Sequence, residues 1–307
     1  MTVLLCPGQG AQKVGMGRDL AERFPAARAT FERIDAALDV PLSTTMWEGP
    51  EDELTLTHNA QPAILAHSAA VLAVVGERLG NVVASAGHSL GEYSAWVAAG
   101  ALTPEDAAAL VRRRGELMLD AGSRRPGTMA AVLGLATAEV EAACAEASQD
   151  GEVAVAANLN APDQTVISGD PAAVGRAGEG CKGRGAKRVL PLKVSGAFHS
   201  PLMVDAVPGL SAALGAAAFR AGRFPVFANV TAEAVQQPDD ARRLLAEQLT
   251  APVRWVACVQ AIAAAHPAAR YLEVGPGNVL GGLLKRIVPG TECISLGSAA
   301  DVEKFLA

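Results

Sequence analysis

Aromatic residues are scarce, Phe, Tyr and Trp together making up 4% of the 307 residues. The core must therefore be built from Ala, Val and Leu. Paired cysteines are missing as well: Cys6, Cys144, Cys181, Cys258 and Cys293 are odd in number, dispersed and without a C-x-x-C. That pattern excludes a zinc spacing, predicts no metal, and fits a reducing, cytoplasmic setting. Positive charge is not in excess, since 26 Lys and Arg against 32 Asp and Glu leave a net charge of −6. Nucleic acid is thereby disfavoured as a main partner. No long hydrophobic run is present. The longest, Pro62 to Val75, is interrupted by His67 and Ser68; it is short for a bilayer and predicts a core helix rather than a membrane span. Met1 to Pro7 lacks the basic region of a secretory leader. There is no repeat and no low-complexity tract. What is abundant is hydrophobic residues, 50% of the chain, at a length that suits one large domain with an insertion, or two domains.

Strand and helix signals alternate along the chain. Val3–Cys6 predicts a first strand that ends in the loop Pro7-Gly8-Gln9-Gly10-Ala11-Gln12. Helices are expected near 17–24, 27–38 and 61–79. Thr103-Pro104-Glu105-Asp106 opens a further helix with a capping Thr, Pro at the first position and acids in the first turn. After the break at 121–127 the signals read strand (129–133), helix (138–147), strand (153–158), strand (165–168), helix from Asp170-Pro171, strand (189–194). This βαββαβ order is the ferredoxin-like split pattern. It places a small inserted subdomain at 127–195, between two parts of a larger one, 1–126 and 196–307. In the larger part, strands near 225–230, 270–274 and 293–296 alternate with helices near 241–249, 256–265 and 279–286. Such alternation predicts an α/β fold with a mostly parallel sheet covered on both faces, and ligands at the carboxyl ends of its strands. The Gln9 loop, the residues after 81–86 and the Gly275-Pro276-Gly277 loop all follow strands and are expected to converge there.

Gly87-His88-Ser89-Leu90-Gly91 reads G-x-S-x-G. A bare match also occurs as a strand–helix turn with a capping serine. Here a short apolar strand precedes it and an amphipathic stretch, 92–99, follows it, which is the context of a nucleophile elbow. The turn would set the Ser89 hydroxyl at a helix N-terminus, where free N–H groups stabilise an oxyanion. A serine needs a base. Of the five histidines, His88 should point away from Ser89, His67 reads as a core residue, and His58 and His266 fall in loops. His199 lies between a strand and a helix start, among the small residues of Ser195-Gly196-Ala197-Phe198-His199-Ser200. A Ser–His pair works if something accepts the second imidazole N–H. Asp205, Glu273 and a backbone carbonyl all remain open for that part.

Arg114 sits within the apolar stripe Ala107, Leu110, Val111, Leu117 and Met118, whereas Arg112 and Arg113 project elsewhere. An arginine on a core face needs an anion. Either a structural ion pair or a substrate carboxylate meets that need. Gly8-Gln9-Gly10-Ala11-Gln12-Lys13 fails as a dinucleotide fingerprint, because Lys13 stands where the third glycine belongs. It reads as a plain turn, or as the second oxyanion donor through Gln9.

Taken in order, these pieces resemble the malonyl-CoA:acyl carrier protein transacylase family, the FabD-like acyltransferases. They run Gly8-Gln9-Gly10-Ala11-Gln12, Gly87 to Ala95, Arg114-Gly115 before Met118, Gly127 to Val132, Gly196 to Met203, Gln248-Leu249 and Val274 to Gly277, over almost the whole chain. The resemblance implies an α/β-hydrolase-like large subdomain with a ferredoxin-like insertion. It implies Ser89 as the acylated residue, His199 as its base and Gln248 as an aid to orienting that base. The amides of Gln9 and Leu90 would form the oxyanion hole, and Arg114 would hold the malonyl carboxylate. Phe198, with Leu90, belongs to the malonyl-selecting form of the family. Malonyl-CoA is then the substrate with no bound cofactor. The partner is a holo, phosphopantetheinylated acyl carrier protein, serving fatty acid or polyketide synthesis, and the enzyme is expected as a cytoplasmic monomer. Trp96 replaces a smaller aliphatic residue, an effect expected on packing alone. Two basic groups, Lys182, Arg184, Lys187 and Arg188, and Arg124 with Arg125, are candidates for docking an acidic carrier, or are solvated faces. An acyl hydrolase on the same scaffold and a non-catalytic carrier-binding module are the alternative functions.

Overall fold

The computed structural model describes residues 1–307. In chain order its strands are β1 (Thr2–Cys6), β2 (Val82–Gly87), β3 (Thr128–Leu133), β4 (Ala154–Ala161) and β5 (Gln164–Gly169). There follow β6 (Arg188–Pro191), β7 (Val226–Phe227), β8 (Ala234–Val235), β9 (Arg270–Val274) and β10 (Cys293–Leu296). They form two sheets, β10-β9-β1-β2-β7-β8 and β4-β5-β3-β6.

The first sheet is parallel from β10 to β7, and only β8 runs antiparallel, against β7. Its centre is β1, where every residue is buried, as a strand covered on both faces requires. Leu4 and Cys6 enter one apolar layer, and Val3 and Leu5 the other. Because β1 and β2 are parallel neighbours, with Cys6 opposite Gly87, the loops after them open at the same end of the sheet.

The second sheet is antiparallel throughout. Its helices, Thr137–Ala147 and Pro171–Gly183, supply Val140, Ala143, Val174 and Ala177 to a separate small core with Val132 and Ile167. Strand order and helix placement are those of the split βαββαβ pattern, as expected. Met129, Ala157 and Val166 point the other way, into the core shared with the first sheet. Asp170 precedes the second of these helices but does not cap it; its carboxylate accepts from the Val153 N–H at 2.8 Å and faces Arg125.

Several elements differ from expectation. The helix expected at 61–79 spans Thr57–Val75 and continues as a short 3-10 turn to Arg78, so His58 is helical rather than in a loop. Together they are long and apolar enough to cross a membrane, and 72% of the apolar window is buried inside the protein, packed against helix Pro104–Arg124. That second helix carries the expected Thr103 cap, which accepts from the Asp106 N–H. The strand expected at 225–230 shortens to β7, because the chain turns at Ala228, whose carbonyl accepts from the Ala232 N–H. The expected strand at 189–194 ends at Pro191. Helices Leu42–Glu48, Glu51–Thr55 and Ala299–Leu306 and strand β8 are additional to the elements the sequence predicts. Trp96 is fully buried, edge-on to Phe219 with ring centroids 5.3 Å apart.

Candidate active site

At the end of β2 the chain bends into helix Gly91–Ala98. The bend brings backbone segments so close that a Cβ on Gly87 would lie 1.9 Å from the Gly91 carbonyl, and one on Gly91 would lie 2.2 Å from the Cys6 carbonyl oxygen. Only glycine fits either position. Ser89, between them, has φ 53°, a left-handed conformation that costs about 1–3 kcal/mol outside glycine. The strained elbow predicted from G-x-S-x-G is present.

Ser89 Oγ lies 2.7 Å from His199 Nε2. His199 itself has φ 56°. Its Nδ1 donates to the backbone carbonyl of Gln248 at 2.8 Å, which leaves Nε2 bare and ready to accept the serine proton. Of the three acceptors left open by the sequence, the backbone carbonyl is the one used. Glu273 instead accepts from the Leu280 and Gly281 N–H groups, and Asp205 is exposed to solvent. Burial, and after it the Arg114 charge, push the His199 imidazole down to about 3. It is therefore a neutral base at any ordinary pH.

Arg114 is 1% exposed. One Nη2 contact goes to Ser89 Oγ at 3.1 Å and another to Gln248 Oε1 at 3.0 Å. Nη1 donates to Gln61 Oε1 at 2.7 Å, Nε has no partner, and the guanidinium lies 6.0 Å from the centre of the Tyr93 ring. No carboxylate pairs with it. Its helix neighbours Arg112 and Arg113 both reach Glu116 on the outside, as the stripe predicts. The acid nearest in influence, Glu92, uses its Oε2 to accept from the Asn229 N–H and from Gln248 Nε2. Burial pushes Glu92 up to about 7.

Ser89, His199 and Arg114 share a cavity of about 270 Å³ with Gln9, Leu90 and Phe198. The N–H groups of Gln9 and Leu90 bond to no other backbone group, so two donors are free beside the serine. Gln248 contributes its carbonyl to His199 as described, and its side chain to Arg114, Glu92 and the Ser89 carbonyl, the last at 3.1 Å. His88 lies in the cavity wall but turns its Nε2 to Asn160 Oδ1 at 2.7 Å, away from Ser89. The Gly275 loop, expected to converge on the site, does not line the cavity. It braces the Gln9 loop from behind, since a Cβ on Gly275 would lie 2.6 Å from Pro7. His67 is a core residue whose imidazole is pushed down to about 4 by burial.

Sequence reasoning missed Gln61, Asn229 and Lys193. Lys193 lies in the cavity wall and follows an exposed leucine, with nothing in its spacing to mark it. Asn229 carried a signal, a lone amide within the apolar run expected as a strand at 225–230.

A bare imidazole beside a strained serine, two free amides and an unpaired buried cation can together acylate and deacylate a hydroxyl with an anionic acyl group. The chain also has clear relatives. Residues 3–297 match the acyl transferase domain family. The malonyl CoA-acyl carrier protein transacylase of Bacillus subtilis strain 168 is 42% identical over 299 residues, covering 97% of this chain and 94% of that one. Its Escherichia coli K12 counterpart is 44% identical over 283 residues, 92% and 91% of the two chains. Among solved structures, an acyl carrier protein S-malonyltransferase from Vibrio cholerae superposes with a TM-score of 0.94 at 41% identity, over 99% of both chains. A malonyl-transacylase in complex with a holo type II PKS acyl-carrier protein does so with a TM-score of 0.94 at 40% identity, over 99% and 98%. The chain thus belongs to the acyl transferase domain family, among its malonyl CoA-acyl carrier protein transacylases.

Proposed function

We propose that this chain moves a malonyl group from coenzyme A to the phosphopantetheine thiol of an acyl carrier protein, through an ester on Ser89. His199 Nε2 takes the Ser89 proton as Oγ attacks the thioester carbonyl. The tetrahedral oxyanion rests on the Gln9 and Leu90 amides, each such donor being worth roughly 3–4 kcal/mol in related chemistry. The C–S bond breaks, and His199 gives its proton to the departing sulfur, so coenzyme A leaves as the thiol and the imidazole is neutral again. The carrier thiol then attacks the seryl ester by the same steps in reverse. Thioester, oxyester and thioester differ little in free energy, so the transfer is reversible.

The observation that carries this reading is the Arg114 guanidinium, buried, without a carboxylate and 3.1 Å from the nucleophile. One methylene separates the carboxylate of malonate from the carbon that Ser89 attacks. The anion site must then lie within a few ångströms of Oγ, as Arg114 does. A guanidinium meets a carboxylate by two parallel hydrogen bonds, which both holds and selects it. Phe198 would close the apolar side of the pocket against bulkier acyl groups.

The same reading takes 1–126 with 196–307 as the catalytic unit and 127–195 as an inserted one, each with its own sheet. It takes the enzyme as cytoplasmic and monomeric, with fatty acid or polyketide synthesis as its setting. For carrier docking it favours Lys187 and Arg188. In the two basic groups, Arg124 pairs with Asp120, Arg125 with Asp170, Lys182 with Glu179, and Arg184 with Glu139 and Glu146. The charges of Lys187 and Arg188 are not committed in this way.

Mass measurement after mixing with malonyl-CoA, and again after adding holo carrier protein, tests the proposal. A transferase gains one malonyl group at Ser89 and passes it to the carrier, and Ser89→Ala gains none. Release of free malonate without transfer would mark a hydrolase, and no mass gain would mark a binding module.

A further inference from the structure

A sharp bend between strand and helix leaves peptide groups that neither element can satisfy, and buried ones need partners. At this elbow the groups are the Gly87 carbonyl and the Ser89 N–H. Both are met by one side chain from the segment after β7. Asn229 Nδ2 donates to the Gly87 carbonyl at 2.8 Å, and Asn229 Oδ1 accepts from the Ser89 N–H at 2.8 Å. The residue is fully buried. Its own N–H donates to Glu92 Oε2 at 2.9 Å, and its carbonyl accepts from the Arg254 N–H at 3.0 Å. Gln248 Nε2, 3.3 Å away, adds a second donor to Oδ1. Every polar atom of Asn229 is therefore engaged, and two of its bonds straddle the strained turn.

We infer that Asn229 is a positioning residue for the nucleophile. By gripping the peptide groups on both sides of His88 it holds Ser89 in its left-handed conformation, with Oγ on the His199 ring. By occupying the Ser89 N–H it leaves the Leu90 N–H as the free donor at the bend. The side-chain type suits the part, because only a planar amide offers an acceptor and a donor side by side at this length. Glu92 fixes Asn229 in turn, binding its N–H from the first turn of the helix that the elbow opens. The inference rests on the proposed seryl-ester chemistry for the reaction to be timed, and on nothing else in it.

The test is kcat per active site, titrated by the malonyl burst, with KM for malonyl-CoA measured alongside. In Asn229→Ala, kcat per site is expected to fall about 10²-fold while KM stays within about threefold, the scale set by an ångström of misplacement. A role confined to stability would lower the active fraction and leave kcat per site unchanged. Asn229→Ser, in which water can satisfy the stranded groups, gives the same reading should the alanine variant not fold. A kcat per site within threefold of wild type in a folded variant, or a loss confined to KM, overturns the inference. Modification of Ser89 by phenylmethylsulfonyl fluoride separates the two claims. A wild-type protein that reacts with the fluoride but never takes up malonate defeats the transfer reading alone, while slowed fluoride reaction in Asn229→Ala still upholds the clamp.

Discussion

The cations around the small antiparallel sheet and the one in the cavity beside the parallel sheet are handled in opposite ways. Beside the antiparallel sheet, Arg125, Arg176, Lys182 and Arg184 each face a carboxylate in contact with solvent. Beside the parallel sheet, Arg114 is sealed from solvent and faces two amide oxygens and a hydroxyl. Exposed pairs of the first kind are worth about 0–1 kcal/mol, so they come and go with little effect on the fold. A buried charge without a counter-ion carries a desolvation cost of several kcal/mol. Such a charge is a poor way to stabilise a core and a good way to bind an anion. Backbone irregularity is found in both regions but differs in place: Ser89 and His199 hold positive φ at the cavity, whereas beside the antiparallel sheet Asp150 does so in a loop and β4 pairs with β5 through two register shifts.

Removing the buried cation gives the largest effect. In Arg114→Ala the malonyl carboxylate enters the cavity unpaired, at a cost of about 2–5 kcal/mol, which is about 30-fold or more. The ratio of kcat/KM for malonyl-CoA over acetyl-CoA should fall by that factor. Acetyl-CoA has no carboxylate to lose, so its own kcat/KM should change far less. An unchanged ratio would mean that Arg114 belongs with the structural ion pairs after all.

A second consequence concerns pH. Burial holds the His199 imidazole down to about 3, and the Arg114 charge adds to that push. The histidine therefore remains a base well below its ordinary pKa of about 6.5, and the acid limb of kcat/KM should lie correspondingly low. Without Arg114 the imidazole charges more readily, so its pKa rises. The same cation also holds Glu92 down, so that group shifts upward too. Measured with acetyl-CoA, the acid limb of Arg114→Ala should lie at higher pH than that of the wild type. A limb at the same or lower pH would show that Arg114 does not act on the base.

The two regions also differ in how far the sequence exposes them. All four strands of the antiparallel sheet and both its helices are legible, because each strand runs four residues or more, long enough to show its pattern. Strand β8 has two residues and leaves no periodicity to read, and β7, also of two, reads too long from the sequence, as 225–230. Short helices such as Leu42–Glu48 are hidden for the same reason. At the site, Ser89, His199 and Arg114 stand out by local context: glycines around a bend, a histidine among small residues, a charge on an apolar stripe. What accepts from His199, and what grips the elbow, are contacts between residues 49 and 140 positions apart. No spacing encodes these, and they emerge only when the sheet brings the segments together.

The smallest expected effects lie on the surface, where paired and unpaired cations can be set against each other. Arg125 bonds Asp170, whose carboxylate also holds the Val153 N–H. Arg125→Ala should therefore lower stability by about 0.2–1 kcal/mol, read from urea unfolding, and leave the KM for holo carrier protein unchanged. Arg188 is exposed and unpaired in the structure, at the outer edge of the small sheet. Arg188→Ala should do the reverse, leaving stability unchanged and raising the carrier KM about two- to fivefold, as loss of one rim charge does. The rise should shrink with added salt, because contacts between exposed charges are screened. If both variants raised the carrier KM equally, pairing within the chain would not be what keeps a surface cation from its partner, and the docking face would have to be sought at Arg124 and Arg125 as well.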